Sequence, residues 1–253
     1  MEPFASIAFK AMPARKKFGK LKNSEIHAMT TSKEEIKSLF ENVKIKLIES
    51  KKLWAKEGRG LTGDPATPER ARLPPGQHEV KNWPILDLGV QPSISLQDWS
   101  LTIDGAVRNP TRWTWDEFQA QPRFTDTSDM HCVTTWSRFN NHWEGVSAKH
   151  ILEVVQPLPE ASHVVFTSYD GYTTNLRRES FEDGDVLVAT HWERQPISIE
   201  HGGPARIIIP KIYLWKSAKW VRQITFLTKD QPGFWEVRGY HNEGDPWLEE
   251  RYS

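Results

Sequence analysis

The chain of 253 residues contains one cysteine, Cys132, set in His131-Cys132-Val133-Thr134-Thr135-Trp136-Ser137-Arg138. The thiolate is the form of cysteine that attacks carbon or binds a soft metal, and a neighbouring His or Arg favours it. Such polar company is unusual for a thiol that only fills space, yet a plain buried cysteine accounts for the local sequence equally well. A Cys–His nucleophile pair is conceivable chemistry, but none of the local signatures of cysteine proteases accompanies it. A lone cysteine closes no intramolecular disulfide and builds no all-thiolate zinc site.

A second cluster reads His201-Gly202-Gly203-Pro204-Ala205-Arg206, followed beyond a β-like run by Ser217-Ala218-Lys219-Trp220. Glycine lets a backbone approach a ligand closely, and Arg and Lys match phosphate charge, so these residues could wrap a phosphorylated molecule. Neither a Walker loop nor a dinucleotide fingerprint is present, which argues against ordinary nucleotide binding. The third cluster, Gly233-Phe234-Trp235-Glu236-Val237-Arg238-Gly239-Tyr240-His241, mixes packing aromatics with polar groups; alone it reads as a hydrated surface loop.

These residues need a scaffold. Ser32 with Glu35 forms a capping-box pattern, and Ile36, Leu39, Phe40, Val43, Leu47 and Trp54 recur at helical spacing, which predicts one amphipathic helix over 33–57. Its stripe is expected to dock on the body, a partner or membrane surface being the sharper alternative. A Pro- and Gly-containing linker over 58–76 follows. Short β-like runs then predict strands at 99–103, 163–167, 186–190, 206–209 and 220–227, with turns at Asp104-Gly105 and Asp170-Gly171. Thr114 with Glu117, and Ser147, start two short helices. The mixed order predicts an α+β body, β-rich, over 76–253, with a basic N-terminal arm, helix and linker over 1–75.

The charge balance agrees with an arm and a body. Lys and Arg total 33 against 33 Asp and Glu, but residues 1–60 carry 14 basic and 7 acidic side chains, leaving 19 and 26 for the rest. The acid-free stretch 10–22 resembles a transit peptide or a nucleic-acid arm only faintly, and a solvated terminus is the simpler account. Because the body is acidic, no nucleic-acid partner is expected. No apolar run approaches the roughly 20 residues of a membrane span, and no secretory apolar stretch opens the chain. The expectation is a soluble, cytoplasmic protein.

Taken in order, the three clusters resemble the molybdopterin domain of the sulfite oxidase family, which includes eukaryotic sulfite oxidase, plant-type nitrate reductase and the bacterial periplasmic methionine sulfoxide reductase catalytic subunit. The likeness covers roughly residues 76–253. It is closest to the stand-alone bacterial sulfite oxidase-like oxidoreductases, through His131-Cys132-Val133, Trp143-Glu144-Gly145-Val146, Trp215-Lys216-Ser217-Ala218-Lys219-Trp220-Val221, and Gly239-Tyr240-His241 through Gly244-Asp245-Pro246-Trp247. The resemblance implies a Mo-molybdopterin cofactor and oxygen-atom transfer. Cys132 matches the one protein thiolate on molybdenum, a soft ligand for such a centre. Asp170, His201 and Arg206 match pterin-contacting positions, Ser217, Ala218 and Lys219 match the loop that grips the cofactor, and Lys219 would neutralise its phosphate. Tyr240 matches the tyrosine facing the metal, where it could assist proton movement.

Two departures follow. The arginine that sulfite oxidase carries in the loop corresponding to Asn82-Trp83-Pro84-Ile85-Leu86-Asp87 has no counterpart here, so sulfite is not the expected substrate. No haem or extra dimerisation domain is expected, so the resemblance implies a separate electron carrier beside a small oxo-accepting or oxo-donating substrate. The alternatives are a reductase of sulfoxides or other oxo-substrates on the same fold, a non-catalytic binding module, and a zinc hydrolase using His131, Cys132 and His142, whose ligands lack the usual spacing.

Overall fold

The structure is a computed structural model and describes residues 41–42, 44–53 and 72–253. Residues 44–253 group as one compact unit. Of the helix expected over 33–57, residues 41–42 and 44–53 are described and helical, the latter being α1; Ile36, Leu39, Phe40, Val43 and Trp54 lie outside the described residues, as does most of the linker. Within α1 it is Ile48 that is buried, with Leu47 half-buried beside it.

Two sheets form the body. The first runs β1 (His78–Glu79), β5 (Trp136–Ser147), β8 (Leu187–Trp192), β10 (Arg206–Ile208), with β4 (Phe124–His131) also on β5 and β9 (Gln195–Pro196) on β8. The second runs β3 (Thr111–Thr114), β2 (Ser100–Gly105), β11 (Val221–Leu227), β6 (His163–Ser168), β7 (Thr173–Arg177). The β1–β5 and β11–β2 pairs are parallel and the others antiparallel, giving the mixed, β-rich α+β fold expected. Strands expected at 99–103, 163–167, 186–190, 206–209 and 220–227 correspond to β2, β6, β8, β10 and β11. β11 starts one residue late because Trp220 adopts φ 49°.

Local chemistry sets the helices. In α2 (Trp115–Gln119) Thr114 and Glu117 form the reciprocal capping box, and Phe118 is fully buried against Trp99 and Trp113. Burying a side chain of that kind is worth roughly 1.5–3 kcal/mol. Ser147 Oγ caps α3 (Ala148–Val155) by accepting from the His150 N–H, and α3 lays Ile151 and Val155 into the same core. A short α4 (Arg178–Phe181) follows β7.

Two hydrophobic clusters result. One is aliphatic and aromatic and fills the space around the second sheet. The other is dominated by aromatics, among them Trp83, Trp136, Trp215, Trp235 and Tyr240, and it encloses Cys132. In the Trp143-Glu144-Gly145-Val146 motif, β8 passes so close that a Cβ on Gly145 would meet Val188 O at 2.0 Å, which restricts the position to glycine. None of the described helices is long and apolar enough to cross a membrane.

Candidate active site

Cys132 lies at the turn of the β4–β5 hairpin, a pair of strands whose polar residues had hidden them. Its N–H donates to Trp136 O at 2.8 Å, its carbonyl accepts from Thr135 N at 3.0 Å, and the buried Gln77 donates Nε2 to the same carbonyl at 3.0 Å. The sulfur is thereby fixed on the wall of a cleft of about 900 Å³, its open mouth included. Among the described residues its one hydrogen-bonding partner is Thr134 Oγ1, at 3.2 Å.

Burial pushes the Cys132 thiol up, while hydrogen bonds from Thr134 and the positive charges of Lys51 and Lys219 pull the other way. The expected help from His131 and Arg138 is not present. Each spends its polar group elsewhere: His131 Nδ1 bonds Ser137 Oγ at 2.8 Å, and burial lowers its pKa to about 4, so it is neutral. Arg138 lies over the Trp192 ring and contacts Glu193 and Asn141. His142 bonds Thr127 instead of joining a zinc site, and no group of three metal-ligating side chains exists among the described residues.

Of the other residues singled out from sequence, Asp170, Arg206, Ser217, Lys219 and Tyr240 line the same cleft as Cys132. Arg206 is buried on β10 and donates to three backbone carbonyls: His201 O at 2.6 Å, Ser217 O at 2.9 Å and Ile207 O at 3.4 Å. Burial presses its pKa down to about 9, so it stays a cation at neutral pH. Lys219 Nζ donates to Glu200 O at 2.6 Å, and burial, with Arg206 adding, brings its pKa down to about 7. Neither cation forms an ion pair with a carboxylate among the described residues. Ser217 Oγ accepts from the Ile209 N–H at 3.0 Å, which leaves its own hydrogen to donate. Asp170 stands at the rim, open to solvent on one side, and the walls on its other side push its carboxyl up.

His201 and Ala218 stand behind the cleft wall. The His201 ring meets Trp83 edge-on at 4.1 Å, with Nε2 at 3.2 Å from Trp83 O, and so holds the indole over which Arg206 lies. Ala218 is packed in the core. Gly202 and Gly203 do not present backbone to the cleft either: at Gly202, with φ 107°, a Cβ would meet Lys219 Cβ at 2.9 Å, so its smallness seats the lysine. Of the third cluster only Trp235 and Tyr240 reach the cleft. Tyr240 stacks on Trp235 with ring centres 4.8 Å apart, donates its hydroxyl to Lys51 O at 3.3 Å, and is held protonated by burial, which raises its pKa.

Several lining residues carried no local signal. Lys51 falls inside the helix expected over 33–57 as one more polar position, and Ser168 falls just beyond the strand expected at 163–167. Ser168 Oγ and Trp136 Nε1 are buried without a hydrogen-bond partner among the described residues, although both residues line the cleft. Unpartnered buried donors are costly, and together with cations bonded only to carbonyls they describe a cleft shaped for a polar, anionic molecule.

Comparison with known proteins agrees with that chemistry. The family model described as oxidoreductase molybdopterin binding domain matches residues 88–235. The uncharacterized oxidoreductase YuiH of Bacillus subtilis (strain 168) is 39% identical over 186 residues, 73% of this chain and 94% of that protein. Sulfite oxidase of Arabidopsis thaliana is 23% identical over 57% of this chain and 46% of its own length. The protein-methionine-sulfoxide reductase catalytic subunit MsrP of Campylobacter jejuni is 26% identical over 57% and 54%. The chain thus spans nearly all of the Bacillus protein and about half of the other two. Among solved structures, the sulfane dehydrogenase SoxCD of Paracoccus pantotrophus shares the fold with a TM-score of 0.51, at 24% identity over 55% of this chain and 40% of that one.

Proposed function

Since the chain belongs to the family of the oxidoreductase molybdopterin binding domain, we propose that Cys132 supplies the protein's thiolate ligand to molybdenum and that the cleft serves oxygen-atom transfer to or from a small oxo-substrate. Membership makes the protein a molybdenum-dependent oxidoreductase whose cofactor is Mo-molybdopterin. What supports the finer proposal is one juxtaposition: the chain's single thiol opens onto a cleft that also holds buried cations bonded only to backbone carbonyls.

The bound cofactor brings the oxygen-atom and electron-pair chemistry. The chain's residues bind it and manage protons. Arg206 and Lys219 would hold its phosphate, and would there gain the anionic partner they lack among the described residues. Ser217 donates its hydroxyl hydrogen, Ser168 and Trp136 offer unused donors, and Asp170 contacts the pterin from the rim. His201 acts through Trp83, and Ala218 fixes the loop's backbone by accepting the Ile207 N–H at 2.8 Å. Cys132 would hold the metal as its thiolate, the form in which cysteine binds metal, the charge there offsetting the effect of burial. Tyr240, protonated, would turn its one hydroxyl hydrogen from Lys51 O to the substrate end and pass a proton there. Trp215 and Trp235 exclude water. A separate carrier exchanges electrons with the site; the Campylobacter relative is by its own name one subunit of a reductase.

Metal analysis and pterin extraction on protein made in a host with molybdopterin biosynthesis test the proposal. The expected content is about one molybdenum per chain, lost in Cys132→Ala while the fold survives, because a soft metal prefers the thiolate. Zinc, or no metal, in the wild type sinks it.

A further inference from the structure

The helix α1 lies ahead of the residues 88–235 that the family model matches, yet it forms part of the cleft wall. Ile48 packs into the aromatic cluster around Cys132, Lys44 Nζ sits 5.5 Å from the Phe234 ring centre, and Leu47 faces the loop at Gly89. These contacts hold Lys51 in place. Its Nζ donates to Asp87 O at 2.6 Å, and its own carbonyl accepts the Tyr240 hydroxyl.

Resting on the function proposed above, we infer that Lys51 selects the substrate: its ammonium, set between the 82–87 loop and Tyr240, gives the reacting end of the cleft a cation that receives a small oxyanion.

Three observations carry this. First, Lys51 has three N–H donors and spends one of them on a carbonyl, so two remain to meet a ligand. No carboxylate forms an ion pair with it among the described residues, although Asp87 contributes its backbone oxygen there. Second, Lys51 lines the same cleft as Cys132 and Tyr240. Arg206 and Lys219 lie against the Trp83 and Trp220 rings and reach the carbonyls of the 200–217 segment, whereas Lys51 stands with Tyr240. The phosphate therefore has its cations without Lys51. Third, the 82–87 loop holds no Lys or Arg of its own; its Trp83, Pro84, Leu86 and Asp87 line the cleft, and Lys51 docks there on the Asp87 carbonyl. A substrate carrying negative oxygens meets there one unspent ammonium and one phenol, an arrangement that favours an oxyanion over a neutral sulfoxide of similar size.

The test uses the full chain loaded with its cofactor and inorganic sulfate as a non-reacting probe, with affinity measured by calorimetry for the wild type, Lys51→Met and Lys51→Arg. Losing one charge-assisted contact should weaken sulfate binding roughly 10- to 100-fold in Lys51→Met, and Lys51→Arg should restore most of it. Molybdenum content should be the same in all three. Equal sulfate affinity in the wild type and Lys51→Met, or no sulfate binding by the loaded wild type, overturns the inference alone. Loss of molybdenum in Lys51→Met also overturns it, by making Lys51 a cofactor anchor. Failure of Lys51→Arg to recover affinity reduces the residue to packing and overturns it too. A wild type without molybdenum removes the function proposal on which all of this rests.

Discussion

The Lys216 ammonium lies 2.8 Å from Glu236 Oε1, and both side chains are closed off from solvent. The carboxylate also accepts from Trp215 Nε1 and Thr174 Oγ1, each at 2.9 Å, and Lys216 donates to Asn175 as well. One buried pair thus ties the segment bearing Tyr240 to the segment bearing Ser217 and Lys219.

Replacing only the carboxylate leaves an uncompensated buried ammonium. Glu236→Ala should lower unfolding free energy in urea by about 3–5 kcal/mol, the usual cost of breaking such a pair. The double variant Lys216→Met/Glu236→Ala should lose less than Glu236→Ala alone. A single-variant loss of about 1 kcal/mol or less, the worth of an exposed pair, would show that water reaches this ammonium.

Arg206→Ala should fold and yet retain little cofactor. It removes charge-assisted contacts worth about 1.5–3 kcal/mol each, and it also removes a buried cation bonded only to carbonyls. Metal-to-protein ratio after gel filtration reports the first effect, and thermal unfolding of cofactor-free protein reports the second, expected as no loss beyond that of the cavity. Full metal occupancy in Arg206→Ala would move the phosphate elsewhere.

Lys219 gives a signed pH dependence. Its pKa is about 7 in the fold against 10.5 for an ordinary lysine, so between these values the unfolded chain binds more protons. Stability of the cofactor-free protein from this group therefore rises with pH across that window, and the penalty is full below about 7. The Tm advantage of Lys219→Met over the wild type should shrink from pH 7 toward pH 10 and be smaller throughout once cofactor is bound. A pH-independent difference would mean the lysine is better hydrated than its surroundings indicate.

Tyr240→Phe keeps the stacking on Trp235 and removes one hydroxyl. Molybdenum content should be unchanged while turnover with an artificial electron carrier falls by about 10²-fold or more, the scale of proton-transfer assistance. A panel of sulfite, sulfoxides and nitrate covers the substrate classes. Unchanged turnover on every active substrate takes Tyr240 out of the chemistry.

Much of the scaffold was legible because it is locally encoded. The Thr114–Glu117 capping box and Ser147 name their helices by side-chain bonds within one turn, β2 carries its apolar alternation openly, and β6 and β8 show short continuous apolar runs. The β4–β5 hairpin was not legible, since Phe124–His131 is mostly polar and only Met130 and His131 are buried along it. The site divides the same way. Cys132, Arg206, Lys219 and Tyr240 could be named from motif order, but partners distant in sequence or across the hairpin, invisible in a string, occupy His131 and Arg138 instead of the thiol beside them. Lys51 reaches Cys132 across 81 positions of sequence, and nothing around Lys51 distinguishes it from the other lysines of α1.

The single thiol has a practical corollary. With one cysteine in 253 residues, and that one on the cleft wall, any sulfhydryl that a small alkylating reagent can titrate in native protein belongs to the site itself. If metal claims that sulfur, the alkylated fraction and the molybdenum content must sum to the number of chains, and the protein becomes the gauge of its own loading.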